Sequence, residues 1–291
     1  MRLSDLSREL FGQRFQNPLL LAAGTAGFGK ELDGVLDLER LGGLVTKAVS
    51  REPRAGNAAP RVAEFPGGML NSVGLANPGV MRVREEYLPW IASRLNRARV
   101  LVNVVGFTVE EYADVVAELD GSPGITALEL NLSCPNTRAG GIEFGADPAC
   151  VHRIVSLCRS RTRLPLIAKL SPVLPDIAGM AQTARDAGAD AISAVNTMPG
   201  LLFGENGRGR LGNGNGGVSG PGLLPVGVLA VARIVERIGA TPVIGVGGVR
   251  SADDVRQYLR VGAALVAIGT AALADPRLPQ RIIADLERGD G

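Results

Sequence analysis

Residues 165–196 read PLIAKLSPVLPDIAGMAQTARDAGADAISAVN. A short aliphatic run (165–170) leads through a loop into a segment of helical period (177–187), and a second aliphatic run (191–196) follows. That order is the signature of a βα unit on a parallel sheet. The alternation recurs along the whole chain. Strand-like runs fall at 18–23, 43–48, 99–105, 127–131, 165–170, 191–196, 242–246 and 265–268. Segments of helical period accompany them at 30–41, 85–97, 109–119, 148–161, 177–187, 224–238, 252–260 and 278–288. Eight such pairs favour a closed barrel. The expected fold class is α/β: a (β/α)8 TIM barrel with an N-terminal extension and inserted loops over the C-terminal mouth.

The composition agrees. The chain has 291 residues, 46% hydrophobic and 21% charged, enough to bury a core without disulfides or metal. Barrels of ~200–250 residues fold as one unit, so a single domain over residues 1–291 is expected. Lysine and arginine total 31 against 29 acidic residues, a net charge of +2, and no stretch concentrates basic residues. Nucleic acid is therefore not an expected partner. The N-terminal MRLSDLSRELFGQRF lacks the continuous apolar core of a signal or anchor, and the longest uncharged run, 211–232, is too rich in glycine to span a membrane.

Some chemistries drop out by count. One histidine, His152, leaves no material for a Ser-His-Asp triad or a His-rich zinc site. The three cysteines, Cys134, Cys150 and Cys158, stand at no metal-ligand spacing and are too few for a four-cysteine iron–sulfur cluster. They read as reduced thiols of a cytoplasmic protein, with no metal expected. Proton transfer must then use a thiol, lysine, carboxylate, tyrosine or hydroxyl.

In barrel enzymes the chemistry sits at the C-terminal strand ends. Here those ends are Gly24-Thr25, Lys47, Asn103, Asn131, Lys169, Asn196, Gly247-Gly248 and Gly269-Thr270. Alternation puts Glu129 on the face of Asn131, and Ile167 on the face of Lys169, so the polar ends are expected to face the mouth, where one lysine could pair with Glu129. The glycines after the seventh and eighth runs occupy the position where barrels bind phosphate through backbone N–H groups. Two insertions break the rhythm. Residues 50–80 contain PRVAEFPGGMLNSVGL, expected as a hairpin over the mouth; residues 199–222 hold ten glycines, including GRLGNGNGGVSGPG. Such a string is either a low-complexity linker or a ligand-closing lid, and a position inside a barrel favours the lid.

Asn131-Leu132-Ser133-Cys134-Pro135-Asn136 places a cysteine just beyond a strand end in a glycine-rich loop. Cys150 and Cys158 fall instead on a helix with apolar neighbours, where buried inert thiols are expected. Cys134 is the candidate acid/base cysteine.

The strings AAGTAGFG, TKAVS, LNSVGLANPG, VNVVG, NLSCPN, IAKLSP, VNTM, GVGG and AIGT, in this order over essentially the whole chain, resemble the class 1 dihydroorotate dehydrogenases. The NTRAGG…FG continuation and the GTAGFG and PRVAEFPGGMLNSVGL segments look more like the two-subunit, NAD-linked branch, of which this chain would be the catalytic subunit. The resemblance implies oxidation of (S)-dihydroorotate to orotate in de novo pyrimidine biosynthesis, on one FMN-binding barrel domain. It implies FMN contacts from Thr25, Lys47, Ala48, Asn103, Asn131, Lys169, Val195, Gly220, Gly247, Gly248, Gly269 and Thr270. It implies that Lys47, Asn71, Ser72, Val73, Gly74, Leu75, Asn131, Asn196 and Thr197 hold dihydroorotate, and that Cys134 is the base.

Chemistry fits those roles: a proton leaves C5 and a hydride leaves C6, so a base and a hydride acceptor must flank the ring. The implied partner is an electron-transfer subunit carrying FAD and a [2Fe–2S] cluster, in a heterotetramer of two catalytic and two electron-transfer chains. No G-x-G-x-x-G follows a strand here to bind a dinucleotide. The chain departs from the family pattern after Thr197, where Met198-Pro199-Gly200-Leu201-Leu202-Phe203-Gly204 replaces a stretch that usually carries an acidic residue. Two other readings stand beside this one: the fumarate-using homodimer of the same family, and a flavin-free phosphosugar isomerase on the same barrel.

Overall fold

The computed structural model describes residues 6–132, 138–139 and 142–289. Eight strands pair in parallel and in chain order: Leu19–Leu21, Gly43–Val45, Arg99–Val104, Ala127–Asn131, Leu166–Leu170, Ala191–Ala194, Val243–Val246 and Leu265–Ile268. The last closes on the first through the pairs Val266↔Leu19, Ala267↔Leu20 and Ile268↔Leu21. The barrel is complete. Several ladders are shorter than the aliphatic runs that encode them, so Lys47 and Asn196 sit just beyond the last paired residue of their strands.

Helices Val109–Leu119, Pro148–Arg159, Ile177–Asp186 and Ala252–Arg260 each begin on a side chain that accepts a backbone N–H of the first turn, from Thr108, Asp147, Asp176 and Ser251 respectively. Their apolar stripes pack on the outside of the barrel, where Tyr112, Val155, Ala181 and Val255 are buried. A separate apolar cluster fills the barrel's lower interior: Leu20, Val45, Leu101, Ala127, Ile167, Ala191, Ile244 and Leu265, with Phe15 against them. Phe15 comes from an antiparallel hairpin, Arg8–Leu10 with Gln13–Phe15, which forms the N-terminal extension.

Two expectations need correction. Residues 30–41 form no α-helix but two 3-10 turns, Lys30–Leu32 and Leu38–Arg40. Gly34 lies between them at φ 80°, and the Asp37 carboxylate takes the Glu39 N–H, so the run breaks in its middle. The segment expected at 85–97 starts earlier, at Val80, and ends at Arg94. Pro89 cannot donate a backbone hydrogen bond, and residues Val83–Tyr87 before it are wound as a π-turn. A short helix, Thr270–Ala274, follows the eighth strand and was not foreseen.

The two insertions meet over the mouth, and they are more regular than loops. Strands Val62–Phe65 and Gly68–Asn71 from the first, and Met198–Leu201 and Asn215–Ser219 at the second, make one four-stranded antiparallel sheet. The glycines of the second insertion have a steric reason. A Cβ on Gly217 would stand 2.0 Å from Thr197 Oγ1, and one on Gly216 would stand 2.3 Å from the Asn71 carbonyl oxygen. Among the described residues no helix is long and apolar enough to cross a membrane.

Candidate active site

Between the strand ends and the four-stranded sheet lies a cavity of about 820 Å³, within the range of about 300–1,000 Å³ usual for small-molecule sites. Every described residue to which a role was assigned lines it. Thr25, Lys47, Ala48, Asn103, Asn131, Lys169 and Val195 come from the strand ends, and Gly220, Gly247, Gly248, Gly269 and Thr270 line one side. Asn71, Ser72, Val73, Gly74, Leu75, Asn196 and Thr197 also line it, next to the sheet. Cys134 lies outside the described residues.

The glycine side is a turn of backbone with little room for side chains. Gly247 and Gly248 adopt φ values of 125° and 75°, open to glycine at no steric cost. The buried Tyr258 hydroxyl donates to the Gly247 carbonyl at 2.8 Å, and Gly227 and Gly245 leave space for its ring, since a Cβ on either would touch it. Burial raises the Tyr258 phenol above its ordinary range, so it remains a hydrogen-bond donor. Thr270 Oγ1 donates to Ser219 Oγ at 2.7 Å, tying the eighth strand's exit to the sheet. A β-branched residue at Gly248 would meet Leu224 backbone at 2.4 Å before any ligand, so glycine there serves the fold as well as the site.

The two lysines have different surroundings. Lys169, 6% exposed, places Nζ 3.7 Å from Glu129 Oε1, the pairing that strand alternation had left open. Lys47 is half-buried, and among the described residues no carboxylate pairs with it. A cation without a counter-charge at a cavity wall is suited to an anionic ligand. The asparagine ends are anchored: the Tyr112 hydroxyl donates to the Asn131 carbonyl at 2.8 Å, Asn71 Nδ2 donates to the Gly217 carbonyl at 3.1 Å, and Asn196 Oδ1 accepts the Thr197 N–H at 2.8 Å. The stretch 71–75 is pinned from outside by Asn57, whose Nδ2 donates to Ser72 Oγ at 2.7 Å.

One orphan tests whether these residues suit a heterocycle bearing a phosphate. Asn103 is fully buried, its Nδ2 donates to Glu129 Oε1 at 2.6 Å, and its Oδ1 has no partner among the described residues. A buried acceptor of this kind is costly unless a ligand N–H meets it. With a cation, an unmet acceptor and a glycine turn all lining it, the cavity fits FMN. The other thiols are remote in character. Burial pushes Cys158 up to about 12, and Cys150, half-exposed rather than buried as expected, is also raised by desolvation. His152 is exposed on its helix. Sequence reasoning missed Ser171, Met69, Ser219 and Asn215, which also line the cavity, and Tyr258 behind it. No local pattern distinguishes those residues from ordinary loop or core positions.

Comparison with known proteins follows the same line. The family model for dihydroorotate dehydrogenase matches residues 5–289. The chain is 44% identical over 285 residues to a protein of Pelobacter propionicus named dihydroorotate dehydrogenase B (NAD(+)), catalytic subunit, covering 98% of this chain and 93% of that one. It is 47% identical over 278 residues to the protein of the same name from Desulforudis audaxviator, covering 95% and 90%. Among solved structures, that of the Eimeria tenella enzyme DHODH in complex with ferulenol superposes with a TM-score of 0.82 at 21% identity, over 97% of this chain and 83% of that one. At that identity the likeness speaks for the fold.

Proposed function

The chain belongs to the dihydroorotate dehydrogenase family, and from that premise we propose how its cavity works. The protein is an FMN-dependent oxidoreductase that oxidises dihydroorotate to orotate, a step of pyrimidine biosynthesis. The observation that carries the residue assignment is the convergence of Lys47, Lys169 and the asparagine strand ends on one cavity.

Bound FMN supplies the hydride acceptor for C6. The rest falls to the chain. Cys134, as thiolate, takes the C5 proton onto Sγ; Cys158 and Cys150, with raised thiols on a barrel helix, are unsuited to that role. Lys47, with no paired carboxylate among the described residues, holds the substrate carboxylate, and Asn71, Asn131, Asn196 and Thr197 supply donors and acceptors to the carboxylate and ring amides. Ser72, Val73, Gly74 and Leu75 close over the substrate. Lys169, Asn103, Thr25, Ala48 and Val195 hold the flavin ring system, and Gly220, Gly247, Gly248, Gly269 and Thr270 receive the phosphate. On this reading residues 1–291 form one FMN-binding domain of a cytoplasmic protein.

The relatives' name, catalytic subunit of an NAD(+) enzyme, supports a partner that carries electrons onward. We assign to it FAD and a [2Fe–2S] cluster, in a heterotetramer of two catalytic and two electron-transfer chains. The test is an acceptor assay on the purified chain alone. It should be yellow and reduce an artificial dye with dihydroorotate but not NAD. Robust NAD reduction would overturn the partner assignment, fumarate turnover would move the chain to the fumarate-using branch, and a colourless protein unable to take up FMN would overturn the flavin reading.

A further inference from the structure

We infer that Glu129, a residue that does not line the cavity, is a positioning residue of the FMN site. Its carboxylate decides which end of the Asn103 amide meets the cofactor and tempers the charge of Lys169. The inference rests on the FMN reading above.

Glu129 is 1% exposed, on the inner face of the strand Ala127–Asn131. The parallel register sets Asn103 directly beside it, and two residues further on it sets Lys169 beside Asn131. Glu129 Oε1 thus receives Asn103 Nδ2 at 2.6 Å and stands 3.7 Å from Lys169 Nζ. An ionised carboxylate only accepts, so it selects the NH2 end of the asparagine amide and rules out the flipped arrangement. Oδ1, the end without a partner among the described residues, is then left for a ligand N–H.

The second effect is electrostatic. In a water-poor interior, a carboxylate at ion-pair distance from an ammonium cancels much of the field that the ammonium would exert on a third group. Glu129 therefore sets how strongly Lys169 favours added negative charge on the bound flavin. These two effects separate on substitution. Glu129→Gln keeps the shape, removes the charge, and frees Asn103 to flip, because a glutamine amide can accept or donate. Glu129→Asp keeps a carboxylate in the neighbourhood of Lys169 but breaks the close bond to Asn103, because the one Oε1 serves both groups and moves back from both.

The experiment measures the FMN dissociation constant and the flavin midpoint potential of the full chain and both variants. E129Q should bind FMN roughly tenfold more weakly or worse and shift the potential to more positive values. E129D should lose affinity with a positive shift in potential clearly smaller than that of E129Q. E129Q at wild-type affinity and potential overturns the inference, as does E129D shifting the potential as far as E129Q. If E129Q does not fold, E129D decides alone: weaker FMN binding with a small positive shift in potential supports the inference, and unchanged binding overturns it. A purely structural role for Glu129 would change melting temperature and leave the potential in place. Wild-type protein that takes up no FMN would instead contradict the flavin reading itself.

Discussion

Leu101, Ala127, Ile167 and Ala191 form an apolar layer inside the barrel, whereas Asn103, Glu129, Lys169 and Ser193, each two residues further along the same strands, form a polar one. Side chains two apart on a strand share a face, so the barrel changes from core to active-site wall within one pleat. The lower layer, closed by Phe15, stores stability. The upper layer is costly, with two of its polar atoms, Asn103 Oδ1 and Ser193 Oγ, buried without partners among the described residues. The same strands thus carry both jobs, and substitutions above and below should separate them.

The largest expected effect is on turnover. Cys134→Ala should lower turnover by about 10²–10⁴-fold, the usual share of a general base, while the protein stays yellow and its melting temperature holds. Near-normal turnover would remove Cys134 from its role. Below the layers, Phe15→Ala should cost about 3–5 kcal/mol of stability, read by denaturant unfolding, with FMN affinity unchanged in the folded fraction. Equal losses of stability and FMN affinity would show that the two layers are not independent. Lys47→Ala removes a charge-assisted contact to substrate and should raise KM about tenfold or more, as loss of about 1.5–3 kcal/mol implies. FMN affinity should fall less.

The smallest effect is on pH. Burial raises the Cys158 thiol from its ordinary value near 9 to about 12. Below pH 9 both folded and unfolded chains hold the proton and its contribution to stability is full. Above pH 9 the unfolded chain releases the proton while the folded chain keeps it, so stability falls until the folded thiol ionises near 12. Thermal melts from pH 8 upward should decline more steeply for the wild type than for Cys158→Ala. Tyr258, also raised by burial, adds a further alkaline decline in both proteins.

Much of this layering was legible in the sequence because it is written in local periods. Eight aliphatic runs ended on polar residues or glycine, and alternation put Glu129 on the face of Asn131 at the mouth, leaving open only its pairing with a lysine. What escaped depended on contacts distant in sequence. The 2.6 Å bond from Asn103 to Glu129 is set by register between two strands, and the Tyr258 to Gly247 bond by helix packing on the barrel. The sheet over the mouth was hidden because its strand Asn215–Ser219 carries glycines where backbone passes close to Thr197 and Asn71, and glycine is a poor strand signal. Residues 30–41 misled for the opposite reason: their apolar spacing is helical, but Asp37 competes for the backbone and Gly34 leaves the helical region.

The most direct test of the account is anaerobic mixing of the FMN-loaded chain with dihydroorotate while the flavin absorbance is followed. The account predicts loss of the yellow absorbance with stoichiometric formation of orotate, in the absence of any partner. FMN-loaded protein whose absorbance is unchanged by dihydroorotate would contradict it.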